Sequence, residues 1–243
     1  AAAGIETRGA YVALGSHAPG GLSRIWGALA ARISDEEMHD WPGDAAGLAA
    51  AYDRVARRIG VSGGAPIDEN GAQRLTPPAA RLANGHMRQA ATPGFDLTTA
   101  PNAVLMGEAR DGRHGCTACG LCLHGCARGS IYHSASELPA LRRFPNFAYR
   151  SGVRVERLAG RAGRRIVVAR TGGEAVSFRA PVVVLAAGTL MTTSLALRHI
   201  GLTGVPIRLH NNPVAGTAFV VPRLIGTDLP QASFGLGQMF YSL

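Results

Sequence analysis

All four cysteines of the chain fall inside one eleven-residue stretch, Cys116-Thr-Ala-Cys119-Gly-Leu-Cys122-Leu-His-Gly-Cys126. Spacers of two, two and three residues keep the thiols on a single short loop. The backbone there has to wrap around whatever the sulfurs share. Gly115, Gly120 and Gly125 are read as supplying the φ freedom that so tight a wrap needs.

The pattern C-x₂-C-x₂-C-x₃-C is that of the bacterial ferredoxin run, except that Ala127 stands where a proline usually follows the last cysteine. In ferredoxins the first three thiolates hold one cubane and the fourth reaches the other cluster. The functional reading is an iron–sulfur site that passes single electrons, with Cys116, Cys119, Cys122 and Cys126 as ligands. The spacing does not choose between [4Fe–4S] and [3Fe–4S]. Two other readings stand beside it. One is a structural zinc, although Cys₄ zinc sites usually come as two separated C-x₂-C knuckles. The other is free or disulfide-paired thiols in a glycine-rich loop. His124 and His133 flank the run, and histidines so placed are more often surface or packing residues than ligands.

The chain of 243 residues is long enough for one large domain or two small ones, and 47% hydrophobic content is ample for a core. No apolar run reaches the length of a membrane span. A net charge of +9 would ordinarily suggest a nucleic-acid or membrane partner. Every one of the 25 basic residues is arginine, however, scattered among alanine and glycine without a long basic block. That excess reads as coding bias, and no nucleic-acid partner is expected. Cysteines that bind metal report nothing about redox compartment, so localisation stays open. The chain begins Ala1-Ala2-Ala3-Gly4 and ends Tyr241-Ser242-Leu243 within a strand-like run. Both ends read as cut, so a piece of a longer protein is expected.

Along the chain, residues 10–15 read as a short strand. A turn follows, Gly20-Gly21-Leu-Ser23-Arg-Ile-Trp26-Gly27, whose paired glycines let backbone approach a flat ligand or a phosphate, although an ordinary loop has the same composition. Ser34 with Glu37 fits a capping box. Asp44 is the expected cap of a longer helix with Leu48, Tyr52, Val55 and Ile59 on one face and Gly60 as its stop. Residues 61–100 have weak periodicity and read as a lid or connecting excursion. Ala103–Met106 is read as a strand leading to the cysteine loop, and a short helix is expected near Leu138–Arg142. From Ser151 the pattern becomes strands: Val153–Leu158 alternates, and Arg165–Arg170, the Thr171-Gly-Gly173 turn and Ala175–Phe178 make a hairpin. Pro181–Ala187 is continuously apolar, the signature of a strand buried on both faces. Gly188 breaks it, and Thr189–Ile200 is the expected helix, stopped by Gly201. Strand, small residues and a helix N-terminus is how α/β folds offer N–H groups to a dinucleotide. Asn211-Asn212-Pro213 reads as a boundary, with Val214–Leu224 and Ala232–Leu243 as paired strands beyond it.

Taken together, these pieces resemble the glucose–methanol–choline (GMC) family of flavin oxidoreductases. The matching stretches are Gly20–Gly27 with Asp40-Trp41-Pro42, the cysteine run, Val155, and Val183–Gly188. The resemblance implies that Gly20, Gly21, Ser23, Trp26 and Gly27 lie against the flavin of FAD. It implies that Val155 contacts adenine through its backbone and that Ala187 and Gly188 line the FAD cleft. The cysteine run is similar to that of the sugar and polyol dehydrogenases of this family that carry an iron–sulfur cluster beside FAD. Arg24 stands where Asn is often seen, and Thr193 where Pro is common. The N-terminal G-x-G-x-x-G and the catalytic-histidine segment of the family have no counterpart in this chain, so no catalytic residue is assigned.

The resulting expectation is an α/β fold, an incomplete Rossmann-like FAD-binding domain from residues 1–60 and 101–210. Residues 61–100 would be the excursion, and 211–243 the truncated start of an α+β substrate domain. The expected activity is oxidation of an alcohol, sugar or polyol CH–OH group, with electrons leaving through the cluster to a cytochrome or quinone acceptor. The alternative is a non-catalytic electron-transfer or metal-binding module built on the cysteine loop.

Overall fold

The computed structural model describes residues 15–34, 38–39, 45–64, 75–88, 96–209, 220, 222–226, 228 and 235–242. Most of the 10–15 strand, Glu37 of the capping box, the Asp44 cap and the boundary at Asn211–Pro213 lie outside them. The elements are α1 (Ala45–Ile59), α2 (Pro77–Arg88), β1 (Asp96–Thr99), α3 (Leu138–Leu141), β2 (Val153–Arg161), β3 (Arg164–Thr171), β4 (Glu174–Ala180), α4 (Thr189–His199) and β5 (Met239–Ser242). Single 3₁₀ turns occur at Gly21–Arg24, Cys122–His124, Ser134–Glu137 and Pro222–Leu224. Among the described residues no helix is long and apolar enough to cross a membrane. The chain divides into two compact units, one from the described residues of 144–217 and the other from 16–143 with those of 218–243.

In the unit after Phe144, β2, β3 and β4 form an antiparallel sheet in that order. Its registers run from Val153 opposite Thr171 to Arg161 opposite Arg164, and from Arg165 opposite Ala180 to Thr171 opposite Glu174. The second hairpin closes at Gly172 and Gly173 with φ of 55° and 92°, the twist that a two-residue turn between right-twisted strands requires. A register shift between Val155 and Arg157 marks a bulge in β2. α4 follows, and its His199 sits between the Arg165 guanidinium (Nη1···Nε2 3.3 Å) and the Leu158 carbonyl (Nδ1···O 3.4 Å).

Between β4 and α4 the structure departs from the sequence reading. Residues 182–186 are in no sheet among the described residues, and Val182 and Val184 are 73% and 82% exposed. The chain bends at Pro181, which has no N–H to donate, and residues 182–186 beyond it pair with no strand among the described residues. An apolar run specifies extended backbone, but only neighbouring strands make it a buried strand.

In the other unit α1 forms where the pattern places it and stops at Gly60, whose N–H reaches Ala56 O at 3.0 Å. Leu48, Tyr52 and Ile59 are half-buried, whereas Val55 is 52% exposed, so the packed stripe is narrower than the sequence suggests. β5 pairs antiparallel with β1, Asp96 opposite Ser242 and Thr99 opposite Met239. The partner of the last strand thus comes from the 61–100 excursion, which also holds α2.

The core of this unit is the end of β1 and the irregular stretch after it, residues 100–106, whose backbone groups go to several different segments. Thr99 O accepts from Gly64 N at 2.8 Å, Ala100 N donates to Gln238 O at 3.0 Å, and Pro101 O accepts from Ala30 N at 2.8 Å. Asn102 and Ser62 exchange both backbone hydrogen bonds at 2.8 Å, and Ala103 N reaches Ala28 O at 2.8 Å. Asn102 is fully buried, and its Nδ2 donates to Gly237 O at 2.7 Å and Ala100 O at 3.2 Å. Ala28, Ala103 and Val104 form the buried cluster beneath, packed by Trp26, Ile59, Ile131, Tyr132 and Leu236.

Asn102→Ala removes the donor to the Gly237 carbonyl and to the buried Ala100 carbonyl, the buried loss costing about 1–3 kcal/mol. The substitution is expected to destabilise the chain by about 2 kcal/mol or more. Urea unfolding followed by circular dichroism measures this, and an unchanged midpoint would remove Asn102 from the role assigned to it.

Candidate metal centre at the cysteine loop

The cysteine loop leaves and rejoins the core stretch at the same residue. Cys116 N donates to Leu105 O at 2.8 Å, Leu105 N donates to Ser130 O at 2.9 Å, and Tyr132 N reaches Ala103 O at 2.9 Å. Gly120 and Gly125 have φ of 76° and 95°, as the wrap requires, and Ala118 adopts 53° between the first two cysteines. Gly115 serves differently from the sequence reading: a Cβ there would lie 2.2 Å from Gly107 O, so glycine is set by close packing rather than by φ. Gly235 approaches from the other side, where a Cβ would lie 2.8 Å from Gly120 O and 3.5 Å from Cys122 Cβ.

All four thiols are free; Cys119 is exposed and the other three are half-buried. All four line one cavity of about 20 Å³, together with Val104, Leu121, Ile131, Thr117, Arg128 and Ser130. Among the described residues no three His, Cys, Asp or Glu side chains are gathered tightly enough to hold a single metal ion. Four thiols lining one cavity are a donor set whose chemistry suits iron or zinc. Burial pushes the Cys122 thiol up, the Gly235 N–H works against this, and the other three cysteines add to it. Burial also raises Cys126, but the N–H groups of Ile131, Ser130 and Arg128 and the Ser130 side chain together bring its pKa below the ordinary value. Ser130 N lies 3.3 Å from Cys126 Sγ, and Ala118 N 3.3 Å from Cys116 Sγ. At Cys126 these contacts favour the charged thiolate, the form that binds metal.

Arginines fix the loop. Buried Arg113 donates to Ile59 O at 2.8 Å (Nη1), Ser130 O at 2.7 Å (Nη2) and Gly129 O at 3.2 Å (Nε), and lies over the Tyr132 ring at 5.4 Å. It thereby joins the C-terminus of α1 to the segment after Cys126. Arg110 Nη2 takes the neighbouring α1 carbonyls, Arg57 O at 2.9 Å and Arg58 O at 3.2 Å. Arg128 Nε donates to Gly115 O at 3.0 Å. Glu137 accepts from Arg58 Nη2 at 2.9 Å and pairs with Tyr132 Oη at 3.3 Å. His124 is exposed in the 3₁₀ turn, and His133 is half-buried with an unpartnered Nδ1. Burial, then Arg24 and Arg113, lower the His133 pKa.

The glycine turn belongs to the same unit. Gly21–Arg24 is a 3₁₀ turn entered through Gly20 at φ 94°. Ser23 Oγ donates to Gly20 O at 2.5 Å and accepts from Ser134 N at 3.0 Å, and Trp26 Nε1 donates to Tyr132 O at 2.7 Å. A Cβ on Gly20 would meet Ala135 N at 3.1 Å, whereas beside Gly21 and Gly27 that space is open. Gly20, Gly21, Ser23, Trp26 and Gly27 therefore share one unit with the cysteines. Val155 lies in β2, and Ala187 and Gly188 lead into α4, all in the other unit. Gly188 also has open space where a Cβ would be, and Ala187 N donates to Thr192 Oγ1 at 3.0 Å. Arg113, Ser130, Asn102 and Gly235 are structural contributors that sequence reasoning missed; a scattered arginine or a lone serine carries no local signal.

The chain is similar to two curated proteins from Streptomyces. It is 34% identical to 6'''-hydroxyparomomycin C oxidase of Streptomyces lividus over 170 residues, 65% of this chain and 31% of that protein. It is 30% identical to paromamine 6'-oxidase of Streptomyces fradiae over 167 residues, 66% of this chain and 30% of that protein. The chain thus spans about a third of the length of the curated relatives it matches. It is a distant, partial homologue of proteins named as oxidases. No family profile and no solved structure matches it.

The Arg58 hydrogen bond holds the Glu137 carboxyl below its usual range, against an opposing effect of burial, with the Arg58 charge and Tyr132 assisting. A carboxylate depressed on folding contributes stability above its unfolded pKa and loses it as pH falls through the lower folded value. Glu137→Gln is therefore expected to be less stable than wild type at pH 7, the difference shrinking below about pH 4 as the wild-type carboxylate protonates. Urea midpoints of both proteins at the two pH values check this; an equal difference at both would exclude the ionic contribution.

Proposed function

We propose that the chain is part of an FAD-dependent GMC-type oxidoreductase that oxidises a hydroxyl group of an amino sugar. Its electrons leave one at a time through an iron–sulfur cluster on Cys116, Cys119, Cys122 and Cys126. The observation that carries this reading is the set of four free thiols lining one cavity, on a loop whose 3₁₀-turn neighbours hold the glycine turn. The similarity to two proteins named as oxidases of paromamine and 6'''-hydroxyparomomycin C supports the oxidoreductase class and an amino-sugar substrate.

In this reading the residues divide the work. The four thiolates are the cluster ligands. The Ala118 and Ser130 N–H groups, 3.3 Å from Cys116 and Cys126 sulfur, stabilise sulfur charge, and Arg128 on the cavity wall partly offsets it. Open space beside Gly21 and Gly27 leaves backbone accessible to a flat ring, with Trp26 beside it. Val155, Ala187 and Gly188 are the adenine and cleft contacts that the GMC resemblance implies. FAD supplies hydride acceptance from the carbinol carbon, and the cluster supplies single-electron transfer to an external cytochrome or quinone.

The test is on the complete protein, purified anaerobically. Bound flavin is expected by absorbance, together with iron and sulfide by analysis. An amino-sugar alcohol is expected to reduce a one-electron dye. In a Cys119→Ser/Cys122→Ser variant, iron and sulfide should fall to background, and dye reduction should drop at least tenfold while flavin stays bound. Zinc in place of iron and sulfide, or unchanged dye reduction in the variant, would overturn the cluster reading. Absence of flavin would overturn the oxidoreductase reading.

A further inference from the structure

Ser130 is the one residue of the cysteine cavity wall that combines near-complete burial (1% exposed) with a hydroxyl that completes no hydrogen bond yet lies near enough to Cys126 to favour its thiolate. Its backbone is held on both sides. Its carbonyl accepts from Arg113 Nη2 at 2.7 Å and from Leu105 N at 2.9 Å, and its N–H lies 3.3 Å from Cys126 Sγ. With the backbone fixed, χ1 rotation is the freedom left to the hydroxyl, and it sweeps Oγ along a wall shared with Cys126. A buried hydroxyl without an acceptor is unfavourable. A neutral thiol is a weak acceptor and offers little relief. A thiolate ligand, carrying negative charge, is a strong one.

We propose that Ser130 sets the reduction potential of the cluster by donating its hydroxyl hydrogen bond to the Cys126 sulfur, beside the N–H that already faces it. This rests on the reading that the four cysteines hold an iron–sulfur cluster. Hydrogen bonds to cluster sulfurs are among the factors that set potential. Adding an electron makes the cluster more negative, so a donor to sulfur stabilises the reduced state more than the oxidised state and raises the potential. Ser130 acts through Cys126 and is a positioning and tuning residue.

The experiment uses the complete protein with its cluster, titrated against redox mediators under argon, with iron and sulfide measured on each sample. Ser130→Ala is expected to keep its iron and to shift the one-electron equilibrium about tenfold towards the oxidised cluster, a fall of about 59 mV. Ser130→Thr, which keeps the hydroxyl, should restore the potential. Ser62→Ala removes another buried, unpartnered hydroxyl, outside the cavity wall, and should leave the potential unchanged. Before iron is added, Ser130→Ala should melt close to wild type, because the hydroxyl completes no hydrogen bond to the neutral thiol. A full-iron Ser130→Ala protein with the wild-type potential overturns the proposal while leaving the cluster reading intact. An equal shift in Ser62→Ala also overturns it. Wild-type protein without iron and sulfide overturns both. Should Ser130→Ala lose its iron, the decision passes to the reduced wild-type cluster. An exchangeable proton coupled to it in double-resonance spectra, lost in D₂O, supports the hydroxyl contact if Ser130→Thr retains it. The absence of such a proton overturns it.

Discussion

The larger unit depends on one constraint: residues 100–106 are buried or half-buried, and their polar backbone has no regular sheet to satisfy it. Thr99, Ala100, Asn102, Ala103 and Val104 are each at most 3% exposed. A buried peptide group without a partner costs as much as a lost hydrogen bond, so each has to find one. The chain meets this by bringing in segments from far apart: Ala28–Ala30, Ser62–Gly64, Ser130–Tyr132 and Gln238. Asn102 completes the set by tying Ala100 and Gly237 through its side chain. The pairing is made of single bridges, Leu29 and Ser62 both opposite Asn102, and Val104 opposite Ile131. Small residues, Ala28, Ala100 and Ala103, allow these backbones to come close. The cost is a thin apolar core, and the structure relies on hydrogen bonds to a degree that a helix pair or sandwich would not.

The second constraint is a buried charge. Arg113 is 5% exposed, and burial followed by the nearby Arg110 lowers its pKa from the usual arginine value. Among the described residues no carboxylate forms an ion pair with it. Instead three carbonyl oxygens and an aromatic face replace its water. One carbonyl belongs to the C-terminus of α1, where the aligned peptide dipoles favour a cation. Hydrogen bonds to a charged donor are worth about 1.5–3 kcal/mol each, which offsets a desolvation penalty of several kcal/mol only when several form together. Lysine has no planar fork with which to reach three carbonyls in different directions, so the site specifies arginine.

What could be read from the sequence was local. The 3.6-residue stripe of α1 with Gly60, the Gly172–Gly173 hairpin and the helix after Gly188 all carry their signal within a dozen residues, and each forms. The cysteines were legible because chemistry demands clustered thiols. Val182–Ala186 was misleading for a related reason: composition encodes extended apolar backbone, whereas partners decide pairing. Asn102, Arg113 and Ser130 were illegible because each acts through contacts with distant segments. Gly115 looked like a flexible residue of the loop, and only the Gly107 carbonyl beside it gives the physical reason for glycine. The pairing of β5 with β1 was missed because a four-residue apolar strand fits many partners equally well.

The two sequence signals that began as separate observations, the glycine turn and the cysteine run, meet on one short segment. Ile131 lines the thiol cavity, and the next carbonyl, Tyr132 O, receives the Trp26 indole N–H. Two residues on, Ser134 N donates to Ser23 Oγ, which in turn donates to Gly20 O. The path from the cavity wall to the turn is therefore a few bonds of backbone and hydrogen bonds through the Trp26 indole and the Ser23 hydroxyl. The same segment is held from below by Ala103 and from the side by Arg113 through Ser130. A group bound by the cysteines would order Ser130–Ser134, and this ordering would pass to Gly20–Trp26 through the same contacts. In the proposed reading, flavin and cluster each have to keep a fixed place for electrons to pass between them. On that proposal, the segment 130–134 would hold the two elements in register.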